Sequence, residues 1–227
     1  MIQSIKRAIL NIITSFVRRK NGALVFYNRP EEVKAFALIK KVKQETEMLL
    51  ADSEAYQVYL LATKTRKIPG DIAEVGVYRG GSAKLIAEAK GDKQLYLFDT
   101  FAGLPELSQN DNSAHFHPNQ FPASFTEVKN LLKSYPNVHV YQGLFPQTGE
   151  VIKDKKFSFV NLDVDIYEST LKCLEFFYPR MNRGGIILSH DYPKAAGVKK
   201  AFDEFFTNKS EIILEAPSRQ QCLVIKL

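Results

Sequence analysis

Asp71-Ile72-Ala73-Glu74-Val75-Gly76-Val77-Tyr78-Arg79-Gly80-Gly81-Ser82 joins an apolar run to a glycine-rich turn, and a helical pattern follows from Ala83 to Ala89. The stretch reads as strand, turn, helix. Glycines at such a junction let backbone N–H groups and the positive end of a helix approach a ligand, because Gly76, Gly80 and Gly81 carry no Cβ. The spacing Gly-x-x-x-Gly-Gly lacks the first glycine pair of the dinucleotide fingerprint, and Glu74 would repel a pyrophosphate. A cationic ligand suits this turn better than an anionic one.

About twenty residues on, Gln94-Leu95-Tyr96-Leu97-Phe98-Asp99 is an apolar strand that ends in a carboxylate. An acid in this place can accept both hydroxyls of a ribose. Glycine turn and acid together point to a nucleoside that also carries an amino group, such as S-adenosylmethionine. The glutamate and the glycine spacing argue against a nicotinamide-dependent oxidoreductase.

The chain has 227 residues, 45% hydrophobic and 25% charged, which suits one α/β domain with a buried core. Its net charge is +6, but Lys6, Arg7, Arg18, Arg19 and Lys20 lie in the first 22 residues, which contain no acid, leaving +1 for the rest. A nearly neutral body argues against a nucleic-acid partner. Cys173 and Cys222 are far apart without metal-ligand spacing and read as buried thiols of a reducing, cytoplasmic protein. No run approaches the ~20 apolar residues of a membrane span.

Residues 1–22 read as a basic amphipathic helix, with Ile2, Ile5, Ile9, Ile12, Ile13 and Phe16 at helical spacing. Three uses are open to it: peripheral contact with an anionic membrane through residues 2–20, pairing in a homodimer, or packing on its own domain. Residues 23–227 form the main domain. Within it, 23–67 read as a helical cap with helices over 31–50 and 53–64, the second capped by Asp52 or Ser53. Residues 101–124, polar and rich in proline and glycine, read as a lid loop. Its His115-x-His117 pair lacks a third ligand and reads as solvated. A helix over 125–134 and a strand over 137–141 follow, with His139 a structural residue and Gln142-Gly143 beyond it.

The next strand, Lys156 to Asp165, is apolar and β-rich, as a central parallel strand should be. It ends in Asp163 and Asp165, which share a face if the strand continues through them. Paired carboxylates repel unless a cation intervenes, an arrangement suited to acid–base or metal chemistry. A helix from about Ser169 and the turn Arg183-Gly184-Gly185 lead to strand 186–189 and His190-Asp191-Tyr192. If the two strands are neighbours, Asp163, Asp165, His190 and Asp191 meet in one crevice. A helix over 197–206 and strands over 211–215 and 221–226, an antiparallel hairpin, complete the reading.

This order is that of an α/β, Rossmann-like, doubly wound protein: a mostly parallel seven-stranded sheet with a C-terminal antiparallel strand, plus N-terminal helices. The stretches 70–81, Phe98-Asp99-Thr100-Phe101-Ala102-Gly103-Leu104-Pro105, 162–170, Gly184-Gly185-Ile186-Ile187 and Asp191-Tyr192 resemble the macrocin O-methyltransferase family of class I S-adenosylmethionine-dependent methyltransferases. The resemblance implies methyl transfer to a sugar, glycoside or polyol hydroxyl, assisted by a divalent metal, typically magnesium, and the basic N-terminal stretch adds a lipid-linked saccharide at a membrane as a further acceptor class. It implies a cofactor site at Glu74, Gly76, Tyr78, Gly80, Ser82, Asp99, Thr100, Gln142, Gly143 and Asp163. The implied metal ligands are Asp163, His190 and Asp191, and the implied general base is Asp165. The family usually has two acids before the tyrosine, where this chain has His190-Asp191. An imidazole there favours manganese or a softer ion over magnesium, or a base role for His190 without metal, or loss of catalysis in a binding or scaffold protein.

Overall fold

The computed structural model describes residues 28–112, 114–218 and 220–227. The basic helix and the residues up to 27 lie outside them. The chain divides into units 1–35 and 36–227. In the first, the Arg29 guanidinium donates to Glu32 (2.8 Å) at the start of α1 (Pro30–Glu45). The second holds α2 (Asp52–Lys64), β1 (Asp71–Val75), α3 (Gly81–Ala89), β2 (Leu95–Asp99), α4 (Phe125–Leu132), β3 (Val138–Gln142), β4 (Phe157–Leu162), α5 (Tyr167–Phe177), β5 (Met181–His190), α6 (Ala196–Phe206), β6 (Leu214–Glu215) and β7 (Gln221–Ile225).

The strands form one sheet in the order β3-β2-β1-β4-β5-β7-β6. β1 pairs in parallel with both β2 and β4, and β4 with β5, while β7 runs antiparallel to β5 and β6. Side-chain alternation, broken by a register shift between Phe157 and Phe159, splits the strands between two apolar layers. Ile72, Leu95, Leu97, Phe159 and Leu188 pack in one, and Ala73, Val75, Tyr96, Phe98, Phe157 and Val160 in the other. Burying a phenylalanine such as Phe157 or Phe159 stabilises the fold by roughly 1.5–3 kcal/mol. The chain order reverses between β1 and β4, so the crevice at the carboxyl ends of these strands is where a ligand fits.

Several boundaries differ from the sequence expectation. The helix expected over 31–50 stops at Glu45, because Thr46 Oγ1 donates to Arg79 O (2.8 Å) and Met48 packs where a Gly81 side chain would stand. Neither Asp52 nor Ser53 caps α2: Ala51 is the N-cap, and its N–H donates to Glu54 Oε2 (2.8 Å). β4 ends at Leu162, three residues early. β5 begins at Met181, since Phe157 pairs with Met181 and Phe159 with Ile186, which makes Asn182–Gly185 a bulge inside the strand rather than a turn before it. The strand expected over 211–215 shrinks to Leu214–Glu215.

Glu211, just before that short strand, ties the end of the sheet to the rest. Its side chain, 2% exposed, accepts from Lys226 Nζ (2.6 Å) and Tyr178 OH (2.8 Å). Burial pushes the carboxyl up, but these hydrogen bonds more than offset it and hold it at about 2. A depressed carboxyl contributes stability that is complete above the ordinary glutamate range, near 4.5, and is lost as pH falls toward 2. Glu211→Gln should therefore cost stability at pH 7 and flatten the decline between pH 4.5 and 2 in urea denaturation. An unchanged acid limb would remove Glu211 from the account.

Both cysteines are free and buried, as expected. His139 is structural too, its Nε2 2.8 Å from Gln94 Oε1 and its ring stacked on Tyr96. Among the described residues no helix is long and apolar enough to cross a membrane.

Candidate active site

A cavity of about 350 Å³ opens at the carboxyl ends of β1, β2, β4 and β5. Ten of the residues singled out in the sequence line it: Gly76, Tyr78, Ser82, Asp99, Thr100, Gly143, Asp163, Asp165, His190 and Asp191. Three do not. Gly80 has φ +82 at the head of α3 and faces Leu131 and Val128, so a turn conformation closed to most side chains explains it. Gln142 is exposed at the end of β3. Glu74 lies fully buried outside the lining, with Asn161 Nδ2 donating to its Oε1 (2.7 Å) and its Oε2 without a hydrogen-bond partner among the described residues. Burial pushes its carboxyl up to about 8 against the pull of Ser82 and Asn161. An orphaned carboxylate oxygen under the glycine turn is what a nearby cation would stabilise.

Gly76 has a structural task besides lining the cavity. Its φ is +86, and a Cβ there would overlap the carbonyl oxygen of Asp163 and stand 2.6 Å from the carbonyl carbon. The glycine thus admits the neighbouring strand's exit loop, and Asp163 N donates to Val75 O (2.9 Å) across the same junction. Asp99 governs the turn from the other side. Its Oδ2 accepts from Val77 N and Tyr78 N, and its Oδ1 from Phe101 N, all at 2.7 Å. Three of about four lone-pair sites are filled this way, so the acid orders the turn and keeps one acceptor direction free.

β4 releases the chain before its aspartates, which therefore do not share a strand face. Ile166 N donates to Val164 O (2.7 Å) around Asp165, whose φ is +61: a γ-turn of the rare positive-φ kind. Asp191 also has positive φ (+60), and its carbonyl accepts from Lys194 N and Ala195 N. Two such backbones in non-glycine residues cost about 1–3 kcal/mol each and are typical of functional sites. They bring carboxylate oxygens of Asp163, Asp165 and Asp191 within 4.8 Å of one another. Burial, and then the neighbouring carboxylates, push Asp163 and Asp165 well above the usual carboxylate range, and burial raises Asp191.

His190 departs from its expected place in the metal set. It is not in this group, and Gln221 Nε2 lies 3.4 and 3.2 Å from its two ring nitrogens. Burial lowers its pKa to about 4, so the ring is neutral near pH 7. The His115 and His117 pair does not join the group either.

Part of the lining comes from segments expected to cover the site but whose individual residues carried no signal. Glu47 to Leu50 enter from the segment between α1 and α2, Glu54 from α2, and Phe116, Gln120 and Phe121 from residues 101–124, where Phe121 meets Tyr78 edge-on (6.2 Å). Only the fold shows which of their side chains turn inward. With them the lining holds six carboxylates, Glu47, Glu54, Asp99, Asp163, Asp165 and Asp191, and no lysine or arginine among the described residues.

The strand order, the antiparallel β7 and the ligand crevice at the β1/β4 reversal define a class I, Rossmann-like methyltransferase fold. The structure of the O-methyltransferase NovP superposes with a TM-score of 0.68 at 21% identity, over 79% of this chain and 81% of that one. The macrocin-O-methyltransferase (TylF) family profile matches residues 54–217, and the chain belongs to that family. Among curated relatives, 8-demethyl-8-(2,3-dimethoxy-alpha-L-rhamnosyl)-tetracenomycin-C 4'-O-methyltransferase of Streptomyces olivaceus is 29% identical over 55% of this chain and 54% of its own length. Demethyldecarbamoylnovobiocin O-methyltransferase of Streptomyces niveus is 28% identical over 61% of this chain and 58% of its own. The chain thus spans little more than half the length of the curated relatives it matches.

Proposed function

We propose that this protein is an S-adenosylmethionine-dependent O-methyltransferase acting on a sugar or glycoside hydroxyl with the help of a divalent cation. The observation that carries the reading is the cavity itself: six carboxylates and, among the described residues, no lysine or arginine, beside a glycine turn, on this fold. Such a lining favours a sulfonium and a metal ion and disfavours a phosphate-bearing ligand. The rhamnosyl group in the name of the Streptomyces olivaceus relative points to a sugar acceptor.

The residues divide the work. The turn at Gly76–Ser82, with Asp99 fixing its backbone, would hold the nucleoside and amino-acid ends of S-adenosylmethionine, which supplies an electrophilic methyl group. Glu74, buried behind the turn and outside the lining, would favour the ammonium end through its charge rather than by contact. Asp163, Asp165 and Asp191 fit a hard cation, because three half-buried carboxylates this close retain protons unless a positive charge joins them. With His190 outside the group, the donors are all oxygen, which supports magnesium or manganese over a softer ion. A bound cation would lower the pKa of an acceptor hydroxyl. Asp165, which gives up its proton once a cation offsets its neighbours' charge, is the side chain suited to take the hydroxyl proton.

Titration calorimetry with S-adenosylhomocysteine tests the cofactor reading. Wild type should bind, and Asp99→Ala should weaken binding by about a hundredfold, since losing a hydrogen bond to a charged group costs roughly 1.5–3 kcal/mol and the turn loosens as well. A folded wild type that binds nothing would leave only a methyltransferase-fold binding or scaffold protein.

A further inference from the structure

Asp111 lies in the 101–124 loop and does not line the cavity, yet it touches both helices that leave the acid cluster. Its Oδ1 accepts from Tyr167 N (2.7 Å), the first amide of α5, and its Oδ2 accepts from Ser108 N (2.9 Å) and Ser108 Oγ (2.7 Å). A Cβ on Gly197, the second residue of α6, would overlap Asp111 Oδ1 and stand 2.9 Å from Tyr167 N. The carboxylate is therefore packed between the amino ends of α5 and α6. Neither helix has a side-chain cap at its own N-cap residue, Ile166 or Ala195. Beside it, Lys200 Nζ of α6 donates to Asn110 Oδ1 (2.7 Å).

These two helices begin directly after the acid loops. Asp163 and Asp165 precede α5, and Asp191 precedes α6 by way of a turn whose amides Lys194 N and Ala195 N bond to its carbonyl. We propose that Asp111 is a positioning residue. Its carboxylate ties the 101–124 loop to the amino ends of α5 and α6, and so links the loop that covers the cavity to the mutual placement of Asp163, Asp165 and Asp191. An anion at a helix amino end is favourable, and here one carboxylate serves two. Closing the loop and assembling the acid cluster become one event. The inference rests on the proposed reading of that cluster as the cation site and reacting centre, although the tie itself can be measured without it.

The test is hydrogen exchange by mass spectrometry on the full chain, with Mn(II) binding followed by electron paramagnetic resonance. Asp111→Ala should speed exchange in peptides covering 163–170 and 190–198 by about tenfold, the size expected for a lost helix cap. The central strands β1 and β4 should keep their protection. Gly197→Ala, which pushes the helix ends off the carboxylate, should reproduce the pattern. Asp111→Asn, which keeps an oxygen for Tyr167 N, should restore part of it. Mn(II) affinity of Asp111→Ala should fall about tenfold, as for loss of an outer-shell partner, with S-adenosylhomocysteine affinity nearly unchanged. Unchanged exchange in both Asp111→Ala and Gly197→Ala would overturn the proposal, as would faster exchange spread evenly over the central strands. If wild type binds no Mn(II) while the two helix ends still respond, the tie stands and the cation reading fails.

Discussion

Gly76→Ala should be among the most damaging single-methyl substitutions in this protein. The added Cβ would overlap the backbone carbonyl of Asp163, and φ of +86 is unfavourable for any side chain. The Asp163 backbone can move aside only by breaking its bond to Val75 O, which also displaces the acid cluster. A loss of about 3 kcal/mol or more is expected, combining left-handed strain with displaced backbone, which lowers Tm by roughly 6–12 °C in a chain of this size. Gly184→Ala is the control, since its φ is +81 but the nearest atom to its Cβ would be Ile68 Cδ1 at 3.6 Å. It should show the torsional cost alone, about 1–2 kcal/mol. Urea denaturation of both variants checks this, and a Gly76→Ala as stable as Gly184→Ala would mean that the β1 and β4 exits are not packed as described.

The second large effect is expected at Asp163. Asp163→Ala should lose Mn(II) binding and, with an accepted sugar, turnover by a factor of about 10³ or more, and EDTA should do the same to wild type. The pH dependence has a definite sign. Burial and mutual repulsion raise the acid cluster, so it holds protons that a cation must displace, and affinity should rise with pH by about tenfold per unit for each proton released. Full turnover in Asp163→Ala and in EDTA would end the metal reading and leave Asp165 as a base acting alone. Affinity flat with pH would show that the carboxylates are ionised without a cation.

The methyltransferase fold and the location of the site were largely legible in the chain before any coordinates. The apolar run 71–75 entering a glycine turn, the acid at 99 and the β-rich 157–162 are local patterns: near-continuous apolar runs mark strands buried on both faces, and glycine backbone freedom marks the turn. The acids at 163, 165 and 191 were legible for the same reason, as ionisable residues at strand ends. Ten of the thirteen residues singled out do line the cavity.

Tertiary structure decided the rest. Whether Gly76 spares room for a ligand or for Asp163, whether Glu74 touches the cavity or sits beneath it, and whether His190 turns toward the carboxylates or toward Gln221 all depend on contacts between residues distant in sequence. The same holds for the cap and loop residues that complete the lining, and for Asp111, an ordinary loop aspartate until α5 and α6 converge on it. Local periodicity specifies which elements form and which face is buried. The direction of one side chain at the end of a strand is set by packing and by positive-φ turns such as those at Asp165 and Asp191, and these exist only once the sheet has brought their neighbours together.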